Sequence, residues 1–268
     1  MTSRRRNERQ RAPATRGRPR PPPAWRPDAQ RHWLWGWHAV SAALENPARG
    51  GLGRLFASPE RARALVGQAG PELILEIIEQ GAIGALLPQG AVHQGVALDA
   101  PLLEPTALDD LAATAAGVLM VLDQVTDPQN VGAVFRSAAA FGARGLILQD
   151  RHAPPLAGAL AKAAAGAIEK IPHAREVNLS RALERLETLG WRAVGLDGQA
   201  PKTLADTLDG GPTVLVVGSE GEGLRRLIRE HCDALARIPM AGGFESLNVA
   251  AAAAVALYEA GCAQARRR

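Results

Sequence analysis

The sequence predicts an α/β protein built on an open, mainly parallel sheet. Three observations predict it: short runs that are apolar throughout, segments of helical periodicity alternating with them, and glycine-rich or polar turns where one gives way to the next. The apolar runs fall at 118–122, 145–148, 193–196, 213–217 and 236–238, and they lack the in–out alternation of a half-exposed strand. Parallel strands covered on both faces carry this signature. Helical patterns occupy 131–141, 156–169, 179–189, 224–231 and 248–265, so helices are expected on both sides of a five-stranded sheet. On these residues alone the expected topology is an unknotted doubly wound sheet.

A smaller α/β unit precedes it. A helix is expected at 38–44, a strand at 52–57, a helix after Ser58-Pro59 and another over 72–80. Short strands at 82–87 and 95–98 close the unit. The stretch 99–105, with Pro101 and Pro105 and little periodicity, reads as a linker. The chain therefore divides into a basic arm at 1–31, a small domain at 32–104 and a larger one at 105–268.

The overall net charge of +4 hides an asymmetry, because residues 1–31 hold ten arginines against Glu8 and Asp28. That local +8 leaves −4 for the remainder and makes the arm the part of the chain that attracts a polyanion, with nucleic acid the leading partner. Arg and Pro dominate the arm without apolar periodicity, so it is expected to be disordered. Its six prolines oppose the amphipathic helix of a transit peptide. Cys232 and Cys262 are too few for a disulfide scaffold or a four-ligand zinc site, and a reducing cytoplasm is the expected compartment. No apolar stretch approaches the ~20 residues that cross a bilayer. No metal is expected.

In an open parallel sheet, ligands bind beyond the carboxyl ends of the strands. Three segments there draw attention. The first, 122–142, places Asn130 as a helix N-cap and buries Val131, Val134, Phe135 and Ala138 on one face. Arg136 falls on another face among the small residues Gly132, Ala133, Ala139 and Ala140, which would admit a backbone or a substrate close to its guanidinium. A plain surface arginine on a capped helix fits the same residues. The second segment, Gly218-Ser219-Glu220-Gly221-Glu222-Gly223, has the glycines of a phosphate cradle but carries two carboxylates and no Gly-Lys-Ser/Thr. A neutral or cationic ligand suits it better than a triphosphate, and a simple tight turn is the alternative. The third, 238–250, leads into an alanine-rich helix that Ser246 or Asn248 can cap. Alanines 250–254 allow that helix to pack closely, as a threaded element or a subunit interface requires.

In order and wording these segments resemble the SpoU (TrmH) branch of the SPOUT RNA methyltransferases. The likeness rests on Asn130-x-Gly132-x-x-x-Arg136 with Phe141-Gly142, on Gly218-x-Glu220-Gly221 with Gly223-Leu224, and on Ile238-Pro239-Met240 with Ser246-Leu247-Asn248-Val249-Ala250. It covers about residues 34–262. Gly36-x-His38-Ala39-Val40 and His93-Gln94-Gly95-Val96 are similar to the members that methylate a guanosine 2′-hydroxyl in 23S ribosomal RNA. The resemblance implies a C-terminal segment threaded into a deep trefoil knot, a small ribosomal-protein-like (L30e-like) RNA-binding domain before it, and a homodimer. It implies S-adenosyl-L-methionine held at Gly218, Ile238, Met240, Ser246 and Leu247. Arg136 would act on the ribose hydroxyl, with Asn130, Glu220, Ser246 and Asn248 orienting it, the cofactor and the nucleotide. Ribosomal RNA is the implied substrate, with transfer RNA the alternative inside the family. A dehydrogenase is disfavoured because no Gly-x-Gly-x-x-Gly follows the strand at 118–122. A non-catalytic RNA-binding protein is disfavoured by the intact set of site residues.

Overall fold

A computed structural model describes residues 31–65, 73–219, 221–242 and 246–267. The expectations for residues 1–30 of the basic arm and for Glu220 lie outside these residues, while Arg31, expected as the end of the arm, opens the first strand because it pairs with Pro101. Four strands form a first sheet: β1 (Arg31–Trp35), β2 (Arg54–Ala57), β3 (Ile74–Ile77) and β4 (Val96–Pro101), in the order β1-β4-β2-β3. β4 runs antiparallel to both neighbours, whereas β2 and β3 are parallel. Helices α1 (Trp37–Glu45), α2 (Pro59–Ala64) and α3 (Gln80–Leu86) connect them.

The second sheet is parallel throughout. Its strands are β5 (Val118–Asp123), β6 (Gly145–Gln149), β7 (His173–Glu176), β8 (Arg192–Leu196), β9 (Thr213–Gly218) and β10 (Ala234–Ala236), in the order β10-β8-β9-β5-β6-β7. Helices α4 (Leu108–Ala112), α5 (Pro128–Ala140), α6 (Gly158–Ala164), α7 (Leu179–Thr188), α8 (Leu204–Thr207), α9 (Arg226–Glu230) and α10 (Val249–Arg267) cover it. Alternate residues of β5 face opposite layers. Val118, Met120 and Leu122 join the core under α5, α6 and α10, while Leu119 and Val121 join the core under α4, α7 and α9. This explains the unbroken apolar run: a strand with helices on both sides has no polar face to show.

The structure corrects several local expectations. The helix expected over 72–80 is strand β3, because Ile74 and Ile77 bring β-branched side chains to a segment that pairs with β2. The strand expected at 82–87 is helix α3, since a short apolar run does not distinguish the two states. The last strand ends at Ala236, two residues early, which frees Ile238 for the region beyond the sheet. Helix 156–169 breaks where Ala165 and Gly166 take left-handed backbone, and Ala167–Glu169 form a 3-10 turn. Edge strand β7 carries His, Arg and Glu and no apolar run, so nothing marked it. Asn130 is not the N-cap of α5; Asp127 is, accepting from Asn130 N at 2.9 Å.

The linker expected at 99–105 is strand as far as Pro101, with Asp99 buried opposite Trp33. One apolar cluster runs from Leu34, Val40 and Leu98 into α5 and α6, so the two sheets share a core rather than sitting at the ends of a tether. Glu169 ties them further. It ion-pairs with Arg49 and accepts from Asn46 Nδ2 at 2.9 Å, while Arg49 Nη2 donates to Pro101 O at 2.8 Å. Among the described residues no helix is long and apolar enough to cross a membrane.

Candidate active site

Beyond the carboxyl ends of β8, β9 and β10 lies a cleft of about 880 Å3. Its walls come from three loops. Leu196 to Gln199 end and follow β8, Val217 to Ser219 with Gly221 to Leu224 end and follow β9, and Ile238, Met240 and Ser246 to Val249 lead from β10 into α10, with Arg229 of α9 and Ala252 of α10 completing the lining.

The glycine-rich turn is shaped by a close backbone approach. A Cβ on Gly218 would stand 2.1 Å from the Gly223 carbonyl, so no other residue allows the turn to fold back on the strand end. Gly223 N donates to Ser219 O at 3.0 Å, and Gly221 and Gly223 both have positive φ. The exit of the turn is pinned by Asp123, the fully buried last residue of β5, which is paired in register with Gly218. Its carboxylate accepts Arg225 N at 3.0 Å and Arg225 Nε at 2.7 Å. Sequence reasoning passed over Asp123, although a carboxylate closing an otherwise apolar strand is a signal: once buried it needs donors, and here Arg225, beyond the turn after β9, supplies them. Replacing Asp123 with alanine strands the Arg225 amide and frees its half-exposed guanidinium to water. A loss of about 1–3 kcal/mol is expected, together with weaker binding of any ligand in the cleft, measured by thermal unfolding and calorimetry. An unchanged melting temperature would show that the turn holds itself.

At the N-terminus of α5 the cap falls to Asp127, and the Asn130 side chain makes a longer-range contact. Asn248 Nδ2 donates to Asn130 Oδ1 at 2.9 Å, and Asn248 Oδ1 accepts from Ala250 N at 3.0 Å, which caps α10. One amide therefore caps the last helix and fastens it to the start of α5, 118 residues earlier in the chain. Gly132 does not open space beside Arg136: a Cβ there would meet Leu160 O at 2.4 Å, so the glycine serves the contact of α5 with α6. Arg136 is exposed and has no ion-pair partner among the described residues.

Gly218, Ile238, Met240, Ser246, Leu247 and Asn248 thus all line the cleft, and Asn130 is one hydrogen bond away. Arg136 is on the same helix as Asn130 but not in the cleft wall. Two other groups that could suggest chemistry are inert. Burial pushes the His173 imidazole down to about 4, so it stays neutral against Phe135, and burial pushes the Cys232 thiol up to about 12. No group of His, Cys, Asp and Glu suited to a metal occurs among the described residues.

The sequence model of the SpoU rRNA Methylase family matches residues 117–258, which contain all three segments. The chain belongs to the SpoU methylase family. A SpoU relative named 23S rRNA (guanosine-2′-O-)-methyltransferase RlmB, from Pseudomonas aeruginosa, is 38% identical over 84% of this chain and 94% of its own. An uncharacterized tRNA/rRNA methyltransferase of Mycobacterium sp. (strain KMS) is 45% identical over 65% of this chain. The match spans only 57% of that relative's length. Among solved structures, the SpoU methyltransferase AviRb from Streptomyces viridochromogenes, in complex with AdoMet, is 26% identical with a TM-score of 0.75 over 87% of this chain and 90% of that one. An AdoMet-bound rRNA methyltransferase from Sinorhizobium meliloti gives 26% and 0.73, covering 87% of each chain. The parallel sheet is therefore that of SpoU methyltransferases.

Proposed function

We propose that this SpoU protein transfers a methyl group from S-adenosyl-L-methionine to a ribose 2′-hydroxyl of RNA, and that the acceptor is a guanosine in 23S ribosomal RNA. The observation that carries the proposal is the convergence of three post-strand loops on one cleft, with Asn248 linking that cleft to the helix of Arg136. The AdoMet-bound neighbours and the RlmB relative support the donor and the acceptor.

The cleft fits the donor. Its described charged residues are Asp197, Glu222 and Arg229, a net −1 that suits a cation without phosphates. Backbone groups at Gly218, Ile238 and Leu247, with Met240 and Ser246, would hold the adenosyl part. When bound, S-adenosylmethionine supplies an electrophilic methyl on a sulfonium centre. The protein's part is to place the ribose oxygen in line with that methyl and to stabilise the negative charge the oxygen develops. Arg136 has the charge and the exposure for the second task; its pKa above ~12 makes it an electrostatic activator rather than a base. Asn130 and Asn248 hold the helix carrying Arg136 against the cleft, and Glu220 would act from the glycine-rich turn.

We further read the path from edge strand β10 to α10, which packs on central β9 and on α5, as the trefoil knot. The first sheet with α1 to α3 is read as the L30e-like RNA-binding domain. A homodimer is supported by exposed apolar side chains at the C-terminal end of α5 and on α10, where Phe141 (43% exposed) meets Tyr258 (57% exposed) edge-on at 5.9 Å and Val255 is also exposed. The enzyme would act in the cytoplasm, where its ribosomal RNA substrate is assembled.

The test is methyl transfer from labelled donor by the full chain to 23S ribosomal RNA and, separately, to transfer RNA, followed by mapping of the modified nucleotide. A 2′-O-methylguanosine in 23S RNA is expected. Labelling of transfer RNA alone would move the protein to the other branch of the family, and no labelling of either would end the proposal. The arm adds a second expectation. Removal of residues 1–30 should weaken RNA binding and flatten its salt dependence, by about 0.7–0.9 log units per log unit of salt for each lost phosphate contact. An unchanged slope would mean the arm makes no such contacts.

A further inference from the structure

One carboxylate of the cleft does more than add to its charge. Asp197 is the first residue beyond β8, and its side chain is only 10% exposed. Burying a carboxylate this deeply is costly unless its oxygens are met by donors. Oδ1 is met: it accepts Gln199 N at 2.9 Å. Oδ2 is not. Arg229 Nη2 lies 2.6 Å away, yet Oδ2 has no aligned hydrogen-bond donor. The carboxylate thus has its charge balanced but a lone pair unused. What Oδ2 lacks is a neutral O–H or N–H, not a second cation.

Its surroundings narrow the choice. Asp197 shares the cleft with the apolar side chains of Leu196, Val217 and Ile238. An adenosyl group combines a flat apolar base with a neutral pair of vicinal hydroxyls, both of them donors. We propose that Asp197 is a cofactor-recognition residue that accepts a hydrogen bond from a ribose hydroxyl of the adenosyl group. Arg229, whose side chain is 45% exposed, is the cover over that oxygen. In the absence of ligand it balances the buried charge, and it swings toward solvent when the hydroxyl arrives. The inference rests on the reading of the cleft as an S-adenosylmethionine site, and it adds a recognition element outside the three motif segments.

The experiment compares adenosine with 2′-deoxyadenosine and 3′-deoxyadenosine as competitors of S-adenosylhomocysteine on the full chain, by calorimetry. Wild type should bind at least one deoxy analogue about tenfold or more weakly than adenosine, the worth of a hydrogen bond to a charged group. In Asp197→Asn that penalty should fall to less than about threefold, because a neutral amide oxygen is the weaker acceptor. Asp197→Glu, which keeps the charge but moves it by one methylene, should lose the penalty as well and guards against a poorly folded first variant. Equal penalties in wild type and both variants would overturn the inference, as would a wild type indifferent to either hydroxyl. If S-adenosylhomocysteine itself fails to bind wild type, the reading of the cleft fails first, and this one with it.

Discussion

Replacing Arg136 with alanine will slow methyl transfer by on the order of 100- to 1000-fold, the usual cost of removing a group aimed at developing charge in a transition state. Affinity for S-adenosylmethionine should stay within about twofold, because Arg136 is not among the residues lining the cleft. The fold should be indifferent as well. Arg136 is exposed on α5 and has no ion-pair partner among the described residues, so its removal orphans nothing. An unpaired guanidinium on the helix fastened to the cleft is unneeded by the structure and available to a substrate. Arg136→Lys keeps a charge but loses the planar fork, and an intermediate rate is expected. Single-turnover transfer and donor affinity, measured on the same preparations, check this. Full activity in the alanine variant would remove Arg136 from the mechanism; lost donor binding with an intact transfer step would assign it to the cleft instead.

Glu169→Ala should destabilise the protein by about 3–5 kcal/mol, the range for removing one member of a buried ion pair. The side chains of Arg49 and Glu169 are each only 2% exposed, so neither can be rehydrated when the other is lost. Burial also sets the direction of their titration. Loss of hydration holds the Arg49 guanidinium below its ordinary range and pushes the Glu169 carboxyl above its own, in each case against the attraction of the partner. Desolvation outweighing attraction marks a pair that fixes position more than it stabilises. Hence the double change Arg49→Met with Glu169→Leu should recover most of the loss, since two apolar side chains of similar size leave no charge behind. For Glu169 the folded-state pKa is the raised one. Stability from this carboxyl is therefore greatest in acid and declines as pH rises through the interval between its unfolded and folded values. Thermal unfolding of the single and double variants decides it. A double variant no more stable than Glu169→Ala would mean that the pair contributes specific attraction after all. Because Arg49 lies in the loop between α1 and β2 and Glu169 in the 3-10 turn between α6 and β7, the loss should loosen the joint between the two sheets, visible as hydrogen exchange in α1 and α6.

Much of the second sheet could be read from residues alone. The runs at 118–122, 145–148, 193–196 and 213–217 coincide with β5, β6, β8 and β9, because a strand covered on both faces is apolar along its length and few other structures are. Edge strands were less legible. β7 presents His173, Arg175 and Glu176, β10 is three residues long, and β3 reads as helix until β2 pairs with it. An edge strand has one covered neighbour and less apolar demand, so its sequence carries less of the signal.

The cleft divides in the same way. Residues alone marked only three segments beyond strand ends, where an open parallel sheet puts its ligands; the grouping of Gly218, Ile238, Met240, Ser246, Leu247 and Asn248 was what the family resemblance implied, and all six line the cleft. Asp197, just past the run at 193–196, and Arg229, inside the helical pattern at 224–231, also line it but were not singled out, and Asp123 grips Arg225 from a neighbouring strand. Their roles come from partners 32 and 102 residues distant in the chain, and no local spacing encodes those. Residue type and periodicity determined the class of fold, the charge and the chemistry on offer, because these depend on each side chain and its near neighbours. Tertiary structure alone decided which amide met which, that Asp127 and not Asn130 caps α5, and that the two sheets share one core, because contacts between distant segments exist only once the chain is packed.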